Sequence, residues 1–260
     1  MKERLVFQLE FYSNLEFYFL TIFFYSCKDQ APTVESLMAE IDADASLNTL
    51  TKAEKKADWV LLFDGKTFDG WHGFNMNGAP DCWLVEDGAL KILTEGGAET
   101  SLGLLTDKKY KSFALSLEFQ LTEAANSGII YQVAEDAKYS YPYETGTEYQ
   151  VIDDANWPDP LEDWQISGAN YAMYPPISKP FKEVGDWNQV MLVIDGNQIT
   201  HVLNGEVVVE YEKYSDDWMK LRNSGKWSDY PDYGKFDEGY ITLQNHGTKV
   251  NYRNIKIKEL

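Results

Sequence analysis

Glu148 and Gln150 occupy alternate positions in the stretch TGTEYQVIDDANWPD, residues 145–159, with Tyr149 and Val151 interleaved. In a strand, alternate side chains share a face. A carboxylate and an amide therefore stand together on one side, opposite two apolar groups. The strand then runs out into Asp153, Asp154 and Trp157. Two further stretches repeat the pattern. FALSLEFQL sets Glu118 and Gln120 against the apolar row Phe113, Leu115, Leu117, Phe119 and Leu121, and YITLQNHG sets Thr242, Gln244 and His246 against Ile241 and Leu243. If these strands neighbour one another in one sheet, they form a polar floor of acid, amide and imidazole. A carboxylate tuned toward working pH is a general base, and an imidazole beside it is an acid or a hydrogen-bond donor. On pattern alone a solvated sheet face stays open as the alternative.

The remaining chemistry-bearing residues sort by the same parity. His201 shares a face with Ile199 and Leu203 and reads as a structural, half-buried histidine. His72 follows Trp71 in a turn and reads as structural or surface. Arg253 shares parity with Ile255 and Ile257, which predicts an inward side chain paired with a buried carboxylate. Cys82 beside Trp83 reads as a small core residue, and with only one other cysteine, Cys27, there is no disulfide framework. There is no nucleophile elbow, P-loop, dinucleotide fingerprint or zinc-ligand spacing. An acid-rich floor with one histidine has donors for a divalent metal, but the spacing is not diagnostic, and the sequence names no cofactor.

The elements that must position these groups are strands. Apolar alternation is punctuated by Asp87-Gly88, Asp195-Gly196 and Asn204-Gly205, all hairpin signals. About a dozen short strands, with no helical period in the core, predict an antiparallel sandwich or jelly roll. Asn126 and Gln132 fall on the strand NSGIIYQV. Two long irregular segments, 154–186 and 213–238, are expected to be binding walls or lids. Ahead of the β-domain, 59–260, lies a polar stretch, 28–58, read as a tether with a short helix at Val34–Ile41. Thr51 and Glu54 have the spacing of a capping box.

Residues 1–27 end in an apolar run, FYFLTIFFY, followed by Ser26-Cys27. This resembles a lipoprotein-type signal with Cys27 as the lipidation site. The expectation is an exported protein held at the periplasm, outer membrane or cell surface by a lipid anchor, its only tie to a membrane. A net charge of −19 and the lack of a clustered basic patch disfavour nucleic acid and anionic polymers. A neutral ligand fits better, and aromatic residues at 15% suit a carbohydrate.

An ordered series of motifs carries a family resemblance. LLFDGKTFDGW, VEDGAL, LLTDKKY, ANSGI, EYQVIDD, GDWN, ITLQNHG and YRNIKIKEL occur in that order from about Thr51 to Leu260. The set resembles the 3-keto-disaccharide hydrolase family. That resemblance implies a concanavalin A-like jelly-roll β-sandwich of two antiparallel sheets, with a short N-terminal helical segment here. It also implies export in Bacteroidetes and action on glycosides oxidised at C3. The family's recurrent polar positions fall on Glu118, Asn126, Glu148, Gln150, Asp153 and His246, with Arg253 in the closing motif. The chain departs from the family pattern at Trp157 and Gln132, both expected near the groove.

On this reading Glu148 or Glu118 is the base, His246 the acid or enolate stabiliser, and Gln150 a sugar-positioning group. Gln120, Asn126, Gln132, Asp153, Trp157 and Gln244 are expected to line the substrate site, with Asp153 a loop anchor first. Two alternatives stand beside it. One is conventional glycoside hydrolysis by Glu118 and Glu148 as paired carboxylates. The other is a lectin-like module that binds sugar on platforms such as Trp157 and Trp164.

Overall fold

A computed structural model describes residues 31–42, 44–93 and 102–260. The leader 1–27 and its Cys27 lie outside the described residues. In chain order the strands are β1 (Val60–Leu61), β2 (Trp71–Gly73), β3 (Trp83–Glu86), β4 (Ala89–Ile92), β5 (Leu104–Thr106), β6 (Phe113–Leu121) and β7 (Asn126–Val133). Then follow β8 (Thr147–Ile152), β9 (Trp187–Asp195), β10 (Gln198–Leu203), β11 (Glu206–Glu212), β12 (Tyr240–Leu243) and β13 (Val250–Glu259). Among the described residues three short α-helices accompany them: α1 (Val34–Glu40), α2 (Lys52–Lys56) and α3 (Asp216–Arg222).

The strands form two antiparallel sheets. One has the order β11-β10-β9-β6-β13-β4-β3, with β1 added on β13, and the other the order β2-β5-β12-β7-β8. The fold is the expected all-β jelly-roll sandwich. Its hairpins obey local chemistry: Asp87-Gly88 and Asn204-Gly205 both have positive φ at each residue, the twist-matching turn that only Gly, Asn and Asp adopt readily. The apolar row of β6 enters the core, with Phe113, Leu115 and Phe119 fully buried. It meets Ile129, Tyr131, Tyr149 and Val151 of the second sheet in one continuous cluster. Polar links tie the layers together. The Tyr131 hydroxyl lies 2.7 Å from that of Tyr211 and 3.1 Å from His201 Nε2, and the Tyr149 hydroxyl donates to the Val202 carbonyl. His201 is wholly buried, and burial pushes its imidazole down to about 4, so it is a neutral core residue.

The segment read as a tether is packed down from Thr33 onward. Leu37 and Trp59 cover Ala114, Met191, Val193 and Val202 on the outer face of the eight-stranded sheet. The capping box of α2 forms, and its Glu54 makes a buried 2.6 Å ion pair with Lys256 of β13. Leu37 of α1 and Trp59 therefore form a third layer over part of that face.

Candidate active site

The five-stranded sheet presents its polar face at β8, β7 and β12. Glu148 is the deepest acid on it, 4% exposed. Its side chain leans across Gly128 of the neighbouring strand, where a Cβ would meet the Glu148 Cδ at 2.9 Å. Only glycine leaves room for the carboxyl there. Among the described residues no hydrogen bond reaches that carboxyl. Burial pushes its pKa up to about 7, while the Lys226 charge holds it down. A carboxylate with no protein donor and little contact with water is poised to take a proton near neutral pH.

Lys226 comes from the long segment after β11 and is secured by its neighbours. Trp227 is fully buried, stacks on Tyr233 at 3.9 Å and donates its indole N–H to the Tyr171 carbonyl. The Lys226 ammonium stands 4.6–5.0 Å from the ring centres of Tyr143, Tyr171 and Trp227. Cation–π attraction holds the charge there without neutralising it. Burial lowers its pKa and Glu148 raises it. His246, just beyond β12, completes the group. Burial lowers its pKa against a hydrogen bond to its own backbone, and Lys226 lowers it further, so it is neutral at pH 7. One face thus carries a base, a cation and a neutral imidazole.

Other expected residues meet this face. Gln150 is buried beside Glu148, its Oε1 accepting from the Val151 amide. Gln244 lies on β12's extension, where its backbone amide donates to the Gly128 carbonyl. Asn126 has a buried Oδ1 with no partner, an acceptor available to a ligand. Asp153 anchors the following loop: its carboxylate accepts from the amides of Ala124, Ala155 and Asn156 and from the Asn156 side chain. Trp157 is half-buried on that loop, and Trp164 packs edge-on against Tyr171 at 5.6 Å.

Four expectations are corrected. Glu118 and Gln120 are not part of this floor, because β6 belongs to the other sheet. They face outward there. Glu118 accepts from Arg253 Nε at 2.6 Å and Asn254 Nδ2 at 2.8 Å, and Gln120 bridges Asn251 and the Gly185 carbonyl. Arg253 does pair with a carboxylate, but it points outward, stacked on Trp187 at 3.8 Å. The reason is a bulge: Arg253 and Lys256 pair with Glu118 and Ser116, so three residues of β13 span two of β6 and parity flips. Gln132 is turned out of the groove by a second bulge, its own φ at 57°. It binds the Asp237 carbonyl and the Lys213 ammonium instead. His72 sits between the carboxylates of Asp107 and Glu135 at the far strand of the floor's sheet. No cluster of three or more His, Cys, Asp or Glu among the described residues is placed to hold a metal ion.

The model of the 3-keto-alpha-glucoside-1,2-lyase-like domain matches residues 58–258. The chain belongs to this family. A 3-keto-disaccharide hydrolase of Bacteroides thetaiotaomicron is 31% identical over 261 residues, covering 91% of this chain and 86% of the relative. A crystal structure of a candidate glycosyl hydrolase from Parabacteroides distasonis is 40% identical. It covers 83% of this chain and 100% of its own, with a TM-score of 0.78. A second such structure from that organism is 26% identical, covering 73% of this chain and 99% of its own, at a TM-score of 0.56. Within this 3-keto-glucoside lyase-like framework Glu148 and His246 occupy the EYQVIDD and QNHG stretches. Sequence reading missed Gly128 and Lys226. The signal was present in the ANSGI turn and in a lysine flanked by aromatic residues, NSGKWSDYPDYG, within a segment already expected to be a wall.

Proposed function

We propose that this protein cleaves 3-keto-glycosides by proton abstraction at C2, with Glu148 as the base. A ketone at C3 acidifies the C2 hydrogen. The Glu148 carboxylate takes that proton, the C2–H electron pair forms the C1–C2 double bond, and the C1–O bond breaks with its electrons leaving on the glycosidic oxygen. Water then adds, hydroxyl to C1 and a proton to C2, giving net hydrolysis. Lys226 faces the charge that develops on the C3 oxygen. Lys226 is exposed to solvent but fixed by its ring contacts, and a fixed cation contributes most where charge appears only in the transition state. His246, neutral, donates a hydrogen bond to the departing oxygen. Gln150 and Asn126 orient ring hydroxyls.

The observation that carries this reading is the unpartnered, buried Glu148 carboxyl with its pKa near 7. A module that only binds sugar has no use for a group that titrates there. The paired-carboxylate mechanism fails on geometry. Glu118 and Glu148 point away from each other on two sheets, which stack about 10 Å apart, beyond the roughly 9.5 Å limit for such pairs. Export by a lipid anchor at Cys27 belongs to the same proposal, supported by the leader's apolar run and cysteine. The test is turnover of 3-keto-glucosides by wild type, Glu148→Gln and Lys226→Met, with and without chelator. The expected result is chelator-insensitive activity, reduced about 10³-fold or more by loss of the base and about 10²-fold by loss of the cation. Wild-type rates in both variants would overturn the assignment.

A further inference from the structure

The segment carrying Lys226 leaves β11 and returns at β12, and one buried ammonium joins its two roots. Lys213, the first residue after β11, is 1% exposed. Its Nζ donates to Gln132 Oε1 at 2.8 Å, to the Phe236 carbonyl at 2.6 Å and to Asp237 Oδ1 at 3.3 Å. Gln132 returns a hydrogen bond to the Asp237 carbonyl. Phe236 and Asp237 end the segment that Lys213 begins, and Gln132 is the bulge residue of β7, the strand whose Gly128 underlies Glu148. Three contacts on one ammonium therefore fix both ends of the segment to the floor of the site. Tyr214, next to Lys213, repeats the link by donating to Asp237 Oδ1 at 2.8 Å.

We infer that Lys213 is a positioning residue for the active site, a pin that holds the 213–238 segment closed over Glu148 and places Lys226 beside it. Burying a lysine is costly, and the cost is borne only where its donors are satisfied. Here they are, by groups that have no other reason to converge. The bulge at Gln132 removes that side chain from the groove and delivers it to the pin. Other restraints act on the middle of the segment: Arg222 donates to the carbonyls of Tyr230 and Pro231, the Trp227 indole to the Tyr171 carbonyl and the Gly234 amide to the Thr145 carbonyl. Lys213 binds its two roots to each other and to β7.

The inference rests on Glu148 and Lys226 sharing one site, and its test needs no substrate. Glu148 feels two opposed influences, burial and the Lys226 charge. Removing the cation alone, in Lys226→Met, raises the Glu148 titration midpoint by about one pH unit. Opening the segment hydrates the carboxyl and removes the larger influence. Lys213→Met is therefore expected to move the midpoint the opposite way, down by one unit or more, and Lys213→Arg to stay between it and wild type. Carboxyl ¹³C chemical shifts of Glu148 read this directly, with Glu148→Gln assigning the signal. Asp237→Ala, at an exposed side chain, is the milder probe should Lys213→Met fold poorly, and it too should lower the midpoint. Turnover on a 3-keto-glucoside should then fall with kcat more affected than KM. A folded Lys213→Met or Asp237→Ala protein whose Glu148 midpoint is unchanged overturns the pin. Absence of turnover in wild type, with the midpoints moving as stated, counts against the proposed reaction and leaves the pin standing.

Discussion

Glu148 shows how one residue's chemistry is set by what surrounds it rather than by its own type. Its folded pKa of about 7 lies above the ordinary carboxylate value. The native state therefore holds its proton over a range in which the unfolded chain has lost it. The sign follows: stability associated with the neutral carboxyl is complete below about pH 4.5 and is lost as pH rises through 7. Glu148→Gln should thus leave stability unchanged at pH 4 and raise it by about 3 kcal/mol at pH 8, measured by urea denaturation. Equal stabilities at pH 8 would mean the carboxyl is hydrated. The same group gives kcat/KM an acid limb near pH 7, with activity lost below it. Gly128→Ala tests the seat beneath the carboxyl. The added methyl group must displace Glu148, and a fall of at least tenfold in kcat with little change in melting temperature is expected.

At the level of elements, what local rules decide was legible and what pairing decides was not. The five apolar positions of β6, the hairpin pairs Asp87-Gly88 and Asn204-Gly205, the α2 capping box and the shared face of Glu148 and Gln150 all follow from neighbours in sequence. Which strand joins which sheet does not, and that is why Glu118 was grouped with Glu148. Bulges are equally silent. One extra residue near Arg253 and another at Gln132 reverse the facing of each, and neither position carries a glycine or proline to announce it. Lys226 reaches the floor from a wall 78 positions beyond Glu148 in the chain, where no parity rule applies. The loop after β8 shows an element held by one side chain. Asp153 accepts three backbone amides. Asp153→Ala should cost about 2–4 kcal/mol, since those donors lose a charged partner. Hydrogen exchange should rise at Ala124, Ala155 and Asn156 ahead of the core. Uniform protection there would contradict the anchoring role.

For the whole molecule, the sandwich divides labour between its two outer faces. The eight-stranded sheet is covered by α1 and α2 and fastened by the Glu54–Lys256 pair. Burial raises the Glu54 pKa, but the Lys256 hydrogen bond and the Thr51 and Asp42 amides outweigh it and hold it below the usual value. That contribution is present above the unfolded carboxylate pKa and is lost as pH falls through the folded one. Lys256→Met leaves a buried carboxylate without its cation and should cost about 3–5 kcal/mol at pH 7. A loss under 1 kcal/mol would show the helices to be loosely held. The five-stranded sheet presents its polar face, the proposed substrate floor, between the segments after β8 and β11. The central claim, C2 proton abstraction by Glu148, is tested most directly by following a 3-keto-glucoside in D2O with wild type and Glu148→Gln. The account predicts that wild type releases the aglycone and leaves deuterium at C2 of the 3-keto-sugar product, and that Glu148→Gln does neither at a comparable rate. Wild-type cleavage with no deuterium at C2, or undiminished cleavage by Glu148→Gln, would contradict it.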